Sequence, residues 1–297
     1  MELRQLKYFV AVAEREHVSE AALELHVAQS AISRQISNLE NELGVQLFER
    51  VGRNVHLTSI GKIFLTHIKS ALKGLDYAKK QVDEYLDPER GSIKIGFPTS
   101  LASNLLPTVL SAFKKSYPNI RFQLRQGSYN FLIEAVRNRE IDLAFLGPVP
   151  DNQPDIIGKV LFMENFYALI PSSHPKSAAE KISAQALEHE NFVLFPEGYV
   201  LHQLVIDFCI RSGFTPNIYS QGEDLDAIKG LVAAGMGITL LPESAFNDLN
   251  TAYSSKVAID NSPLKRTVGI IIPKNRNLAP SEMVFYNFIQ DYFGVGE

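Results

Sequence analysis

A chain of 297 residues, 45% apolar and with a formal charge of −4, has the length of about two domains and enough apolar material for sizeable cores. No apolar run approaches the ~20 residues that span a bilayer, and the one cysteine, Cys209, excludes an intramolecular disulfide or a multi-thiolate metal site. The opening MELRQLKYFVAVAERE has acidic residues among its apolar positions and no small-residue cleavage site after it, so it lacks a signal-peptide layout and the protein is expected in the cytoplasm.

The first expected helix, over residues 3–15, places Leu6, Phe9, Val10 and Ala13 on one face for packing. Ser19 followed by EAALELH reads as an N-capped short helix, and Leu25, His26 and Val27 form the turn into a second helix, AQSAISRQISNLENE over 28–42. On that helix Ala31, Ile32, Gln35, Ile36 and Leu39 recur at helical spacing, leaving Gln29, Ser30, Ser33, Arg34 and Ser37 on a short, polar side. The pattern fits a helix-turn-helix. Its second helix lies in the major groove, where Gln pairs with adenine, Arg forks onto guanine or phosphate, and Ser reaches either. The same pattern alone fits an ordinary amphipathic pair from an all-helical core.

The residues after Glu42 favour the helix-turn-helix. Gly44 ends the helix as a C-cap, residues 45–50 alternate as a strand, 51–54 turn, and 55–57 return as a second strand. Such a wing carries Arg50, Arg53 and Asn54 to the sugar-phosphate backbone beside the groove. Net charge argues weakly the other way. Over residues 1–60, Arg4, Lys7, Arg15, Arg34, Arg50 and Arg53 face Glu2, Glu14, Glu16, Glu20, Glu24, Glu40, Glu42 and Glu49, an acidic balance. Phosphates feel the local field, however, and three of the arginines cluster on the recognition helix and wing. Modest non-specific affinity and reliance on more than one subunit are the consequences.

The stretch SEAALELHVAQSAISRQISNLENELGVQLFER, with LTSIGKIFL after it, resembles the winged helix-turn-helix of the LysR-type transcriptional regulators. The resemblance runs on through a linker helix to AGMGITLLPES and so covers nearly the whole chain. It implies an N-terminal all-α winged helix-turn-helix, a long linker helix and an α/β, two-lobed, periplasmic-binding-protein-like effector domain. The implied partners are double-stranded promoter DNA, a small-molecule effector, further copies of the chain as a dimer or tetramer, and RNA polymerase, with no membrane. Within the family, GFPTSLASNLLPTVLSAFK, RQGSYNFLIEAVRNREIDLAFLGPVP and GEDLDAIKGLVAAGMGITLLPES are most similar to the regulators of glutamate synthase genes in bacilli. That similarity implies activation of those genes and a carbon–nitrogen signal such as 2-oxoglutarate or glutamate.

After the wing, Thr58 caps a helix over 59–86 that is about 42 Å long at 1.5 Å per residue. Its stripe of Leu65, Ile68, Leu72, Leu75, Val82 and Leu86, with Lys79 in the skipped place, is too long to be buried inside a small winged domain. The expected partner is the same helix of another chain; packing on its own effector domain is the alternative. Residues 87–91, DPERG, read as a hinge.

The domains expected are therefore 1–58, DNA-binding; 59–90, linker and hinge; and 91–297, effector-binding, with one lobe of about 91–161 and 266–297 and another of about 162–265. In the last of these, strands over 93–97, 120–126 and 141–146 alternate with helices over 100–117 and 129–139. The unit recurs with strands over 192–195, 217–221 and 238–240 and helices over 201–212 and 225–234. A strand over 266–272 and a helix over 280–292 cross back to the first lobe. Alternation of this kind implies two mainly parallel sheets.

Ligands of such sheets bind beyond the carboxyl ends of the strands, at loops leading into helices. Thr99 and Ser100 come after one strand, Ser128 after another, and Gly147 and Pro148 after a third; the opposite lobe offers Pro196, Glu197, Gly198, Tyr199 and His202. Hydroxyls and open N–H groups at helix starts suit a carboxylate, so a small organic acid is expected. Thr99, Ser100 and Ser128 fit at least as well as plain helix caps, and His202 alone fits better as a structural residue. AAGMGITLLPES lacks the order of a nucleotide loop; Gly235 reads as a C-cap and Gly237 as a tight strand entry. Glu223, Asp224 and Asp226 suit a helix start better than a metal. Neither a cofactor nor a metal is expected. A solute-binding protein would explain two lobes but leave the first ninety or so residues without purpose, and no catalytic constellation is spaced to favour an enzyme.

Overall fold

The structure, a computed structural model, describes residues 1–51, 54–87, 91–102, 104–247, 249–260 and 263–296, with the backbone alone at 50 and 51. Arg53 and residues 88–90 of the expected hinge lie outside this set, as does the side chain of Arg50. The chain divides into two compact units, Met1–Asp83 and Glu84–Glu297.

In the first unit, α1 (Leu3–Arg15), α2 (Val18–Glu24) and α3 (Gln29–Leu43) surround a core of Phe9, Val12, Ala21, Ile32, Ile36 and Leu39. The start of α2 is capped by His17, whose Nδ1 accepts the Glu20 N–H, and Ser19 lies inside the helix; Val18 packs on the core and pulls the start forward. Gly44 ends α3 with φ +71°, as its C-cap role requires. The wing is β1 (Phe48–Val51) paired antiparallel with β2 (Asn54–Leu57). Its first strand starts later than the alternation suggests because Glu40, buried on α3, takes the Leu47 and Phe48 N–H groups on one carboxylate oxygen at 2.7 and 3.0 Å.

The linker helix α4 is Ser59–Leu86. Thr58 Oγ1 accepts the Gly61 N–H at 3.0 Å and caps it, and Gly61 is needed because a Cβ there would stand 2.1 Å from the Leu47 carbonyl oxygen. The apolar stripe divides. Leu65, Ile68 and Leu72 pack into the core of the first unit with Leu6, Phe9 and Leu47, which they reach because they lie in the N-terminal half of the helix. Leu75 and Val82 are more than half exposed, and Leu86 more so.

In the second unit β3 (Ser92–Phe97) leads to a short α5 (Thr99–Ala102) and then to α6 (Leu105–Ser116), where one helix was expected; Pro107 has no N–H to give to a preceding turn and forces a restart. Then come β4 (Arg121–Gln126), α7 (Tyr129–Arg137), β5 (Leu143–Leu146), the 16-residue β6 (Ile156–Pro171) and β7 (Lys181–Ile182). The remainder is β8 (Asn191–Leu194), α8 (Val200–Arg211), β9 (Asn217–Gln221), α9 (Leu225–Ala233), β10 (Thr239–Pro242), β11 (Ser254–Ile259), β12 (Lys265–Pro273) and α10 (Pro280–Tyr292).

The two mainly parallel sheets expected from the alternation are not what forms. One sheet runs β4-β3-β5-β12-β6-β11-β7 with β10 also on β6, while β8 and β9 pair separately. β3 is parallel to β4 and β5, but β6 is antiparallel to β12, β11 and β10. Residues 156–165 of β6 pair with β12 and residues 166–171 with β10 and β11, so a lobe boundary at 161 falls inside a continuous strand. The sheet is mixed because β6 and β12 return antiparallel through it and β6 serves both lobes. The first lobe packs α6 and α10 on one sheet face around Phe113, Phe145 and Phe285, and α7 on the other around Leu132 and Leu146. The second lobe packs α8 around Phe192 and Phe208, and α9 around Val193 and Ile228.

Candidate DNA-reading face and effector cleft

On α3 the buried row of Ile32, Ile36 and Leu39 fixes which side faces away from the core. Gln29, Ser30, Arg34 and Ser37 are exposed on that side; Ser33 is half-buried, and with Ser37 it borders a shallow hollow against Gln46, Phe48 and Val55 of the wing. Ala31, expected on the packed side, is exposed in the first turn of α3, one position before the buried row begins at Ile32. Asn54 is exposed at the start of β2, opposite Val51. Five of the eight glutamates over residues 1–60 are tied to other groups. Glu40 is buried under the wing, Glu14 meets Lys69 at 2.7 Å, Glu24 meets Arg15 at 2.8 Å, Glu16 meets His56 at 3.1 Å, and Glu42 meets the N-terminal ammonium. None of these ties involves Gln29, Ser33 or Arg34, so the exposed row of α3 presents an arginine and neutral donors.

In the second unit a cavity of about 420 Å³ opens between the two lobes. Thr99, Ser100 and Ser128 line it from the first lobe, Gly147 from the end of β5, and Gly198 and Tyr199 from the second lobe. The loops at Ser128 and Tyr199 deliver the starts of α7 and α8, whose open N–H groups carry partial positive charge. Ser128 caps α7 by accepting the Phe131 N–H, and the Thr99 hydroxyl accepts from Gln126 Nε2 at 2.7 Å. Tyr199 stacks on Phe195, with ring centroids 5.4 Å apart.

Pro148, Pro196, Glu197 and His202 do not line the cavity. His202 is buried, and its Nδ1–H donates to the Phe195 carbonyl at 2.7 Å; this bond turns the ring into the lobe and makes it a strut for the loop.

Sequence patterning did not single out Arg266. It stands on β12, borders the cavity, and has a fully buried side chain. Its Nε donates to Glu164 Oε2 on β6 at 2.7 Å and its Nη1 to Ser100 Oγ at 3.0 Å. Burial pushes the guanidinium below its ordinary pKa, and Glu164 beside it pulls the other way. Glu164 Oε1 accepts the Ser244 N–H at 2.7 Å, and the Ser244 hydroxyl donates to the Ser100 carbonyl at 3.3 Å, which links the lobes at this corner. A lone arginine in the apolar run RTVGIII was the available signal, because a buried charge needs a partner. Glu223 and Asp224 also line the cavity; Asp224 caps α9 by accepting the Ala227 N–H at 2.7 Å, which accounts for its place at a helix start. Among the described residues no group of His, Cys, Asp and Glu could hold a metal ion, and no helix is long and apolar enough to cross a membrane.

Residues 3–62 match the family model described as the bacterial regulatory helix-turn-helix protein, lysR family, and residues 86–294 match the LysR substrate binding domain. The chain is 64% identical to the transcriptional dual regulator GltC of Bacillus subtilis (strain 168), over 99% of this chain and 98% of that one. It is 34% identical to the HTH-type transcriptional regulator AlsR of the same organism over 82% of each. Among solved structures, full-length CbnR complexed with its target DNA superposes with a TM-score of 0.77 at 26% identity, covering 98% of this chain and 99% of that one. Its two matched domains place this chain in the LysR family of bacterial DNA-binding transcriptional regulators.

Proposed function

We propose that this regulator controls glutamate synthase genes, acting in the cytoplasm mainly as an activator, and that a small organic acid in the inter-lobe cleft, 2-oxoglutarate or glutamate, modulates its hold on the promoter. The observation that carries this reading is the 64% identity, over nearly the full length, to a regulator named as dual in action. On the DNA side, Gln29, Ser30, Ser33, Arg34 and Ser37 read base edges and phosphates, and Arg50, Arg53 and Asn54 hold the backbone at the wing. On the effector side, Thr99, Ser100 and Ser128 with the starts of α7 and α8 form a cradle for an anion. The exposed Leu75, Val82 and Leu86 serve self-association into a dimer or tetramer. RNA polymerase is the further partner of an activator.

Closure around a ligand favours one arrangement of the lobes only if that arrangement binds it better, and a tenfold preference corresponds to ~1.4 kcal/mol, within reach of one or two charge-assisted hydrogen bonds. The test is a footprint on the DNA upstream of the glutamate synthase genes and upstream of the regulator's own gene, with and without each acid. Protection that changes with an acid is the expected result. Tight, specific protection that neither acid alters overturns the assignment of effector, and no specific protection at all overturns that of the target.

A further inference from the structure

Given that the cleft takes a small organic acid, the reading on which this proposal rests, some group in it must recognise the acid function. Two of the three guanidinium nitrogens of Arg266 are committed, Nε to Glu164 and Nη1 to Ser100, while Nη2 is buried and has no hydrogen-bond partner. A buried donor on a charged group is costly to leave unmet. The plane of the group is fixed from both sides. Glu164, itself held by the Ser244 N–H, grips one edge, and the Gly147 backbone lies so close that a Cβ there would stand 3.2 Å from Cζ and Nε.

Ser100 Oγ accepts from Nη1, which leaves its own proton to donate, and both residues border the same end of the cleft. An N–H of a fixed guanidinium beside an O–H suits the two oxygens of a carboxylate. Across the cleft Glu223 and Asp224 repel a carboxylate and so orient an acid with that group toward Arg266. We propose that Arg266 is a specificity-determining residue whose Nη2, together with the Ser100 hydroxyl, holds one carboxylate of the effector and distinguishes the acid from its amide. Nη2 is enclosed, so an entering carboxylate reaches it only as the floor yields slightly. The residues around it, Ser100 and Glu164, are those that Ser244 of the second lobe holds, so engagement of the acid is felt by both lobes.

The experiment is calorimetric titration of the full chain with 2-oxoglutarate and with glutamate and, for whichever binds, with each of its two monoamides. In the unaltered protein one monoamide is expected to bind at least about tenfold more weakly than the parent acid. Arg266→Lys keeps a cation beside Glu164 but loses the fork, and the pair Arg266→Met with Glu164→Leu removes both charges. In either variant the penalty for the amide is expected to shrink to about threefold or less. A purely structural arginine would weaken acid and amide alike and leave the penalty unchanged, and that result in either variant, with operator affinity retained, overturns the proposal. Binding of neither acid to the unaltered protein would overturn the effector reading as well, so the two failures are told apart.

Discussion

Arg266 Nε lies 2.7 Å from Glu164 Oε2, with both side chains closed off from solvent, where β6 and β12 run side by side beneath the cleft. In the sheet register Arg266 faces Glu164 directly, so the pair is fixed by the pairing of the two strands as well as by charge. Removing one partner leaves the other charged and buried. Glu164→Ala is therefore expected to cost the second unit about 3–5 kcal/mol, whereas Arg266→Met together with Glu164→Leu should recover most of that loss. Urea unfolding of the three proteins measures the difference; a Glu164→Ala loss below about 1 kcal/mol would mean the pair is stabilised by little beyond its strands.

For DNA reading, Gln29→Ala is expected to relax preference at one base position and cost about 1–3 kcal/mol on the specific site, while Asn54→Ala should weaken specific and random DNA by similar factors. Binding measured on both DNAs at several salt concentrations separates the two. An unchanged ratio of specific to random binding for Gln29→Ala would displace α3 from the groove.

The division of the linker stripe sets two leucines about one helical turn apart in contrast. Leu72 is packed against the core of the first unit and Leu75 is exposed. Leu75→Asp, alone or with Val82→Asp, should lower the oligomeric state in sedimentation without moving the unfolding of the first unit. Leu72→Asp should destabilise that unit by about 2 kcal/mol or more, because it puts a carboxylate against apolar side chains.

A pH effect is expected from Glu190. Burial alone would raise its pKa, but Lys176 and His174, both hydrogen-bonded to its carboxylate, outweigh this and hold it below the usual carboxylate value. A carboxylate depressed in the folded state stabilises fully above its unfolded pKa, and that contribution is lost as pH falls through the lower, folded one. Lys176→Met should therefore reduce stability near neutral pH and make the acid side of the stability profile shallower. Thermal unfolding between about pH 3 and pH 7 tests this, with parallel profiles as the contrary outcome.

Much of the fold was legible because short, strongly periodic segments announce themselves. The spacing of Ile32, Ile36 and Leu39 fixed the face of α3, and Thr58 and the pattern after it marked α4 from its first residue to its last. β6 was not anticipated, since its sixteen residues pass from a half-exposed stretch to a fully buried one and show no single period. β11, SSKVAI, was also missed, because Val257, Ala258 and Ile259 run together at its end and set no alternation along it. In the cleft, Thr99, Ser100 and Ser128 could be named from hydroxyls at helix starts, whereas Arg266 was passed over: its place in RTVGIII signals a buried charge in need of a partner, but nothing local says that the partner is a loop 166 positions away. His202 was named for its place beside the loop of the opposite lobe and read more readily as structural, and its bond to the Phe195 carbonyl shows a ring that holds that loop.

One strand, β6, runs unbroken from the first lobe into the second. Because β6 stays paired with β12 along all nine residues of β12 before it passes into the second lobe, the lobes share one torsion bar. A torsion bar resists wide swings and permits twist. A ligand seated between the lobes would then act through a rotation of small amplitude, opposed by a restoring force that rises with angle. The same bar makes the lobes inseparable, because severing β6 to free one of them would also remove the strand on which the other is built.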